Sequence, residues 1–241
     1  MKAMILAAGY GSRLGDLTKG TPKCLLTING KTLIEYVIDN LKTAGVGSIV
    51  VNLHHLADQV TSYFKAKNNF GLEVNFSYEE KILGTGGGLK AAAAHFSREE
   101  CFIMHNADVY SEVDLKTMSS SHLQNGAVAT LAVLNRSNER HLIFTGEGEL
   151  CGWKNKEREQ WAAADNQKHT LQRLSFAGIQ ILSPKILESM MDQTGEFSII
   201  STYLKAAESG YKVMAYPIDG SYWLDVGKPE TLRELQEKLR S

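Results

Sequence analysis

The chain has 241 residues, 43% of them hydrophobic and 22% charged, enough apolar material for one sizeable α/β core. Lys+Arg total 26 against Asp+Glu 27, a net charge of -1, so no overall field draws the protein to nucleic acid or an anionic membrane. Any hold on phosphate has to come from a local arrangement. Cys24, Cys101 and Cys151 are sparse and show no paired spacing, which points to reduced thiols and a cytoplasmic location.

The apolar run in MKAMILAAGYGSRL is too short for a signal segment or a membrane span and reads as a buried first strand, Met4–Ala7. Leu33–Ala44 has helical spacing, with Leu33, Ile34, Val37, Ile38 and Leu41 on one face. Thr32 and Glu35 form a capping-box pattern at its start, and Gly45 stands at its end. Strands follow at Ser48–Asn52, Glu73–Tyr78, Cys101–Asn106 and Ala127–Leu134, and helices at Leu56–Lys65, Leu89–Phe96 and Leu115–Gln124. Strands alternating with amphipathic helices imply βαβ units and a mostly parallel sheet. After residue 134 the pattern changes. A hairpin over Leu142–Trp153 precedes a polar run, read as an antiparallel extension and a flexible excursion, Asn155–His169. Leu174–Ile181 is a strand, two helices come next, Lys212–Tyr216 is a strand, and Pro229 opens a last helix with Leu232, Leu235 and Leu239 in one stripe. The expectation is one domain, 1–241, with a first half to 134, a second half 135–241, and the excursion 155–169 as a lid.

Chemistry concentrates in the loop after the first strand, AAGYGSRLGDLTKGTPK. Gly9 and Gly11 permit turns and close backbone approach, Arg13 offers a planar fork for phosphate oxygens, and Lys23 adds a point-like cation. A glycine loop at the end of a parallel strand is where α/β sheets bind ligands. The loop is neither a dinucleotide fingerprint, since Leu14 occupies the third glycine position, nor a GxxxxGK[ST] phosphate loop. YEEKILGTGGGLKAA reads either as a tight turn feeding a helix or as a second ligand-binding turn. FIMHNADVY is an apolar strand ending near Asp108, a carboxylate that either caps a turn or faces the ligand crevice, where it would suit Mg²⁺. His54 and His55 alternate faces if their strand continues, which makes them a poor metal pair.

The segment LAAGYGSRLGDLTKGTPKCLLTINGKTLIEYVI resembles the opening signature of the sugar-phosphate nucleotidyltransferases, with a Pro-Lys ten residues after the Arg. Three more segments resemble that family in order: YEEKILGTGGGLKAA, FIMHNADVY and SYWLDVGKPETL, with SFAGIQIL between the last two. The resemblance implies a Rossmann-like three-layer αβα sandwich, with a mixed, mostly parallel sheet and a small antiparallel extension in the second half. It implies Mg²⁺-dependent transfer of a nucleoside monophosphate from a nucleoside triphosphate to a sugar 1-phosphate, by a monomer or homodimer. Short members acting on N-acetylmuramate 1-phosphate or mannose 1-phosphate are similar in length. Carried over by position, Arg13 and Lys23 are catalytic, and Asp108 and Asp225 are catalytic and hold the metal. Ala8, Gly9, Gly11, Glu80, Gly84, Thr85 and Gly86 bind nucleotide, and Asn106, Gly178 and Glu196 contact the sugar.

The sequence departs from the family at Asp16 and Cys24, where proline is common, and at Ala107, where glycine is usual. The family's E-K-P segment is also missing, and Lys154 and Lys156 are the cations in that region. No nucleophile–base constellation is found, in keeping with an attacking phosphate that is already ionised. Three other readings use a similar scaffold. A metal-dependent glycosyltransferase would not need the Arg13/Lys23 loop. A regulatory protein that binds a nucleotide sugar should have lost a charged member of the set. A cytidylyltransferase acting on choline phosphate needs an aromatic cage.

Overall fold

The computed structural model describes residues 1–136, 139–162 and 170–240. Two compact units form, and neither is one stretch of chain. The first takes Met1–Ile82, Met104–Lys116 and the segment from Ser221; the second takes Leu83–Ile103 and Thr117–Gly220. The expected halves, 1–134 and 135–241, are linear in sequence, whereas the C-terminal segment belongs with the N-terminal one. Elements are numbered here in chain order.

In the first unit, strand β1 (Lys2–Leu6) is flanked by β6 (Phe102–Asn106) and by β4 (Ser48–Leu53), and β5 (Glu73–Tyr78) lies outside β4. β1–β4 and β4–β5 are parallel, with Met4 opposite Val50 and Val50 opposite Asn75. Ala3, Met4 and Ile5 are fully buried and all six residues of β4 are buried, the continuous burial of strands covered on both faces.

Helix α1 (Leu33–Thr43) buries the five apolar residues of its expected face. Its capping box is formed, the Thr32 amide donating to Glu35 Oε2 at 2.7 Å, and Gly45 ends it in the left-handed region at φ 83°. Ahead of it, β2 (Thr27–Ile28) and β3 (Lys31–Thr32) make a hairpin whose turn residues Asn29 and Gly30 both have positive φ. Helix α2 (Ala57–Ala66) buries Val60 and Phe64. Two three-residue strands, β7 (Val109–Ser111) and β14 (Trp223–Asp225), pair antiparallel. Helix α6 (Pro229–Lys238) follows, with Pro229 in its first turn. Leu235 of α6, Leu224 and Val226 share a buried cluster with Ile28 and Leu33.

The second unit has a mixed sheet. The long strand β12 (Gln172–Leu182) pairs antiparallel with β8 (Ala129–Leu134), and β13 (Val213–Pro217) runs parallel to β8. At the start of β12, along Gln172–Leu174, β9 (His141–Phe144) pairs with it, and β9, β10 (Leu150–Lys154) and β11 (Glu159–Trp161) form an antiparallel meander, the expected extension. Residues 159–161 of the expected excursion are thus paired strand, and 163–169 lie outside the described residues. Helix α4 (Leu115–Asn125) leads into this unit, and α5 (Ile199–Glu208) packs against α3 (Gly84–Ala91).

Helix α3 is a correction. The expected helix was Leu89–Phe96, but α3 begins at Gly84 and gives way to a 3-10 turn at Ala93–His95. The glycine run is helix. Its Gly86 and Gly87 amides both donate to the Phe197 carbonyl, at 3.0 and 3.4 Å, which satisfies donors that a helix start leaves open.

Candidate active site

The loop after β1 is anchored by buried polar groups. The Ala7 amide donates to Asn52 Oδ1 at 2.8 Å, and Asn52 Nδ2 donates to Glu79 Oε1 at 2.7 Å. Asn52 is 2% and Glu79 5% exposed, so each depends on the other for satisfied hydrogen bonds. This ties the end of β1 to the ends of β4 and β5. His54 Nδ1 lies 2.8 Å from the Glu79 carbonyl, which can only accept, so Nδ1 carries the proton; Nε2 then accepts from the Tyr10 hydroxyl at 3.0 Å. The Tyr10 ring also lies against His55, with centroids 5.6 Å apart. Ala8 is buried, whereas a Cβ added at Gly9 would meet nothing within 4 Å, so the loop backbone is open there.

Gly11 has two reasons to be glycine. Its φ is +68°, and a Cβ would stand 3.0 Å from Lys23 Cβ and 3.1 Å from Thr18 Cγ2. Thr18 Oγ1 donates to the Gly11 carbonyl at 3.0 Å, closing the 3-10 turns of Ser12–Thr18. A second short 3-10 turn, Lys23–Leu25, aims Lys23 inward. Its side chain is only 10% exposed, and Nζ sits 2.5 Å from Asp108 Oδ2.

Asp108 and Asp225 come together through β7 and β14. Val109 is opposite Asp225, and the Val226 amide donates to the Asp108 carbonyl at 2.8 Å. Arg13 Nη2 approaches Asp225 Oδ2 at 3.9 Å, with both side chains well exposed. All four expected catalytic residues therefore lie in the first unit as two cation–carboxylate pairs, the cations on the 3-10 turns after β1 and the carboxylates at the paired strands β7 and β14. Among the described residues no group of three or more His, Cys, Asp or Glu could hold a metal. A two-carboxylate set fits Mg²⁺ completed by substrate oxygens, which is how that ion is usually bound. The groups around it are not proton carriers near neutral pH. Burial, with Asp108 adding, pushes the Cys24 thiol up to about 12. Burial pushes His105 down to about 4. Asn106, at the tip of β6, is half-buried and its carbonyl meets His105 Nδ1 at 2.8 Å.

The remaining expected residues are spread over both units. Glu80 is exposed; the buried acid at this tip is its neighbour Glu79, and the strand alternation of β5 carried to its end separates the two. In the second unit, Thr85 Oγ1 accepts from the Ile199 amide at 2.9 Å, at the start of α5. A Cβ on Gly84 would lie 2.6 Å from the Phe197 carbonyl oxygen, and one on Gly86 would run into the Phe197 ring. Gly178 has φ 75° where β12 shifts register between Phe176 and Gln180. Glu196 is exposed, next to Phe197. Lys154 pairs with Glu159 at 2.8 Å, and Lys156 pairs with Glu139. No helix among the described residues is long and apolar enough to cross a membrane.

Comparison with known proteins finds relatives that match along nearly the whole chain. The nucleotidyl transferase family model matches residues 2–241. UTP–glucose-1-phosphate uridylyltransferase of Synechocystis sp. is 28% identical over 95% of this chain and 60% of its own length. N-acetylmuramate alpha-1-phosphate uridylyltransferase of Caulobacter vibrioides is 27% identical over 98% of this chain and 96% of its own length. HddC from Yersinia pseudotuberculosis, solved as a complex with GMP-PN, superposes with a TM-score of 0.78 at 25% identity, covering 99% of each chain. The chain spans only 60–62% of several curated relatives, the Synechocystis enzyme among them. With the match running through nearly all of its residues, this chain belongs to the nucleotidyl transferase family.

Proposed function

We propose that the protein transfers a nucleoside monophosphate from a nucleoside triphosphate to a sugar 1-phosphate and releases pyrophosphate. The observation that carries this is the pair of cation–carboxylate contacts, Lys23–Asp108 and Arg13–Asp225, between the glycine loop's 3-10 turns and the carboxylates at the start of β7 and the end of β14. The relatives are named for uridylyl or guanylyl transfer to sugar 1-phosphates.

In the reaction a phosphate oxygen of the sugar phosphate bonds to the α-phosphorus. The bond from that phosphorus to its bridging oxygen breaks, and pyrophosphate leaves with the electron pair. Both reactants are anions, so positioning and charge neutralisation are the main tasks of the protein. Asp108 and Asp225 would hold Mg²⁺, whose charge would offset that of the phosphate oxygens. Lys23 turns from Asp108 toward the α-phosphate and the acceptor. Arg13 meets the departing pyrophosphate with its planar fork. No side chain removes a proton, because the attacking oxygen is already ionised.

Ala8, Gly9 and Gly11 approach the nucleotide through the backbone, and Glu80 lies at the same strand end as buried Glu79. Gly84, Thr85 and Gly86 are nucleotide contacts, and Asn106, Gly178 and Glu196 sugar contacts, on the strength of the family resemblance. We also assign the protein to the cytoplasm, where its buried thiols stay reduced.

Pyrophosphate release across a grid of nucleoside triphosphates and sugar 1-phosphates tests the reading. Asp108→Asn and Asp225→Asn should each lower turnover by on the order of a hundredfold while folding normally. Silence across the whole grid, or near-normal turnover in either variant at saturating Mg²⁺, would refute it.

A further inference from the structure

Gly227 lies two residues beyond Asp225, in the turn from β14 to α6. Its φ is outside the left-handed region, so backbone conformation does not call for glycine there. Space does. A Cβ at this position would stand 2.7 Å from Arg13 Nη2, 2.9 Å from Arg13 Cζ and 2.8 Å from Asp225 Oδ1. The guanidinium rests against the bare backbone of Gly227, and that is how it comes within 3.9 Å of the Asp225 carboxylate.

The identity of the clashing atoms decides what a substitution would do. Two of the three nearest belong to the tip of Arg13, a long side chain that is 59% exposed. Such a tip can swing into solvent with no change to the backbone. An added methyl would therefore displace Arg13 and press on the Asp225 carboxyl, moving side chains rather than backbone. We infer that Gly227 is a positioning residue, whose missing side chain seats the Arg13 guanidinium beside Asp225 and so sets the protein's grip on pyrophosphate. The geometric half stands on the structure alone; the pyrophosphate half rests on the function proposed above.

A double-mutant cycle separates this from a merely structural glycine. Gly227→Ala, Arg13→Ala and the double variant are assayed for inhibition by pyrophosphate, for KM of the triphosphate and for KM of the nucleotide sugar in the reverse reaction. Gly227→Ala should weaken pyrophosphate inhibition by about tenfold or more, the scale of one charge-assisted contact. It should leave the nucleotide-sugar KM and the urea midpoint nearly unchanged. In pyrophosphate inhibition the double variant should be no weaker than Arg13→Ala, because that grip runs through the arginine; the methyl's contact with Asp225 Oδ1 is read separately, in turnover. Unaltered pyrophosphate inhibition, losses that multiply in the double variant, or a large drop in the urea midpoint would each overturn the inference. If the wild-type protein neither releases nor responds to pyrophosphate, the functional reading has failed. A crystal structure of Gly227→Ala then decides the positioning claim by itself: a guanidinium moved from Asp225 upholds it, and one still in place overturns it.

Discussion

Replacing Gly84 by alanine tests whether the glycine run serves the fold or the nucleotide. Two costs act on the free protein. Gly84 has φ +70°, and an alanine there carries the left-handed penalty of about 1–2 kcal/mol. Its Cβ would also stand 2.6 Å from the Phe197 carbonyl oxygen and 3.1 Å from the carbonyl carbon. These are backbone atoms and cannot swing aside. Overpacking of this kind costs about 1–3 kcal/mol. The push falls on the segment whose Phe197 amide donates to Leu83 and whose carbonyl accepts from Gly86, at 2.9 and 3.0 Å. Weakening one such bond adds about 1 kcal/mol. The whole effect should be roughly 3–6 kcal/mol. Gly30→Ala is the control, because Gly30 has φ +82° and open space around it. It should cost only the conformational term, leaving a difference between the variants of about 2–4 kcal/mol. Urea unfolding at 25 °C without nucleotide, followed by circular dichroism and tryptophan fluorescence, measures both. Equal stability for the two variants would refute the packing argument. A Gly84→Ala protein that is stable yet cannot bind nucleotide would show that the glycine is there for the ligand.

Lys23→Met should lower turnover by on the order of a hundredfold and tighten Mn²⁺ binding to the free protein, since Asp108 loses the cation it faces. Electron paramagnetic resonance reads the second effect, and unchanged Mn²⁺ affinity would move the metal away from Asp108. Cys24, Cys101 and Cys151 are all buried, and burial raises each thiol. None should react with an alkylating reagent at pH 8 until denaturant is added; rapid modification of any one in the native protein would contradict that. Burial alone would raise the Glu35 carboxyl, but hydrogen bonds from the Thr32 amide, Tyr63, Lys67 and the Thr32 hydroxyl together hold it below the usual carboxylate range. A lowered folded pKa stabilises above the unfolded value and is lost as pH falls through the folded one. Glu35→Gln should therefore destabilise at pH 7 and much less near pH 3, and an equal loss at both would disprove the charge-dependent contribution.

Much of the fold was legible because it rests on long periodic signals. The face of α1, its Thr32–Glu35 box and the buried run of β4 all follow from spacing alone. The four charged residues of the candidate site were legible from their segments, but the way they meet was not. Strands β7 and β14 have three residues each, too few for any alternation to register. The β2–β3 hairpin did carry a readable signal, the Asn29-Gly30 pair, which the amphipathic run beside it overshadowed. The helical state of the Gly84–Gly88 run could not be read locally. Glycine propensity argues against it, and the contact that overrides propensity comes from Phe197, far along the chain. Glu79 and Glu80 are adjacent and chemically alike; the alternation of β5 carried to its end separates them, and the buried Asn52 then holds Glu79.

The pairing of β7 with β14 also bears on how the protein is made. Val109 and Asp225 are far apart in sequence, so the strand partner of the Asp108 segment leaves the ribosome well after it. The nascent chain can form β1, β4 and β5 early, from nearby residues. It cannot bring its two aspartates together until Trp223–Asp225 has emerged and docked. Closing so long a loop is slow compared with local folding. A polypeptide still under synthesis thus carries the glycine loop and both cations without the second carboxylate of the candidate site. On the function proposed above, it would become able to spend nucleoside triphosphate only when the returning segment has taken its place.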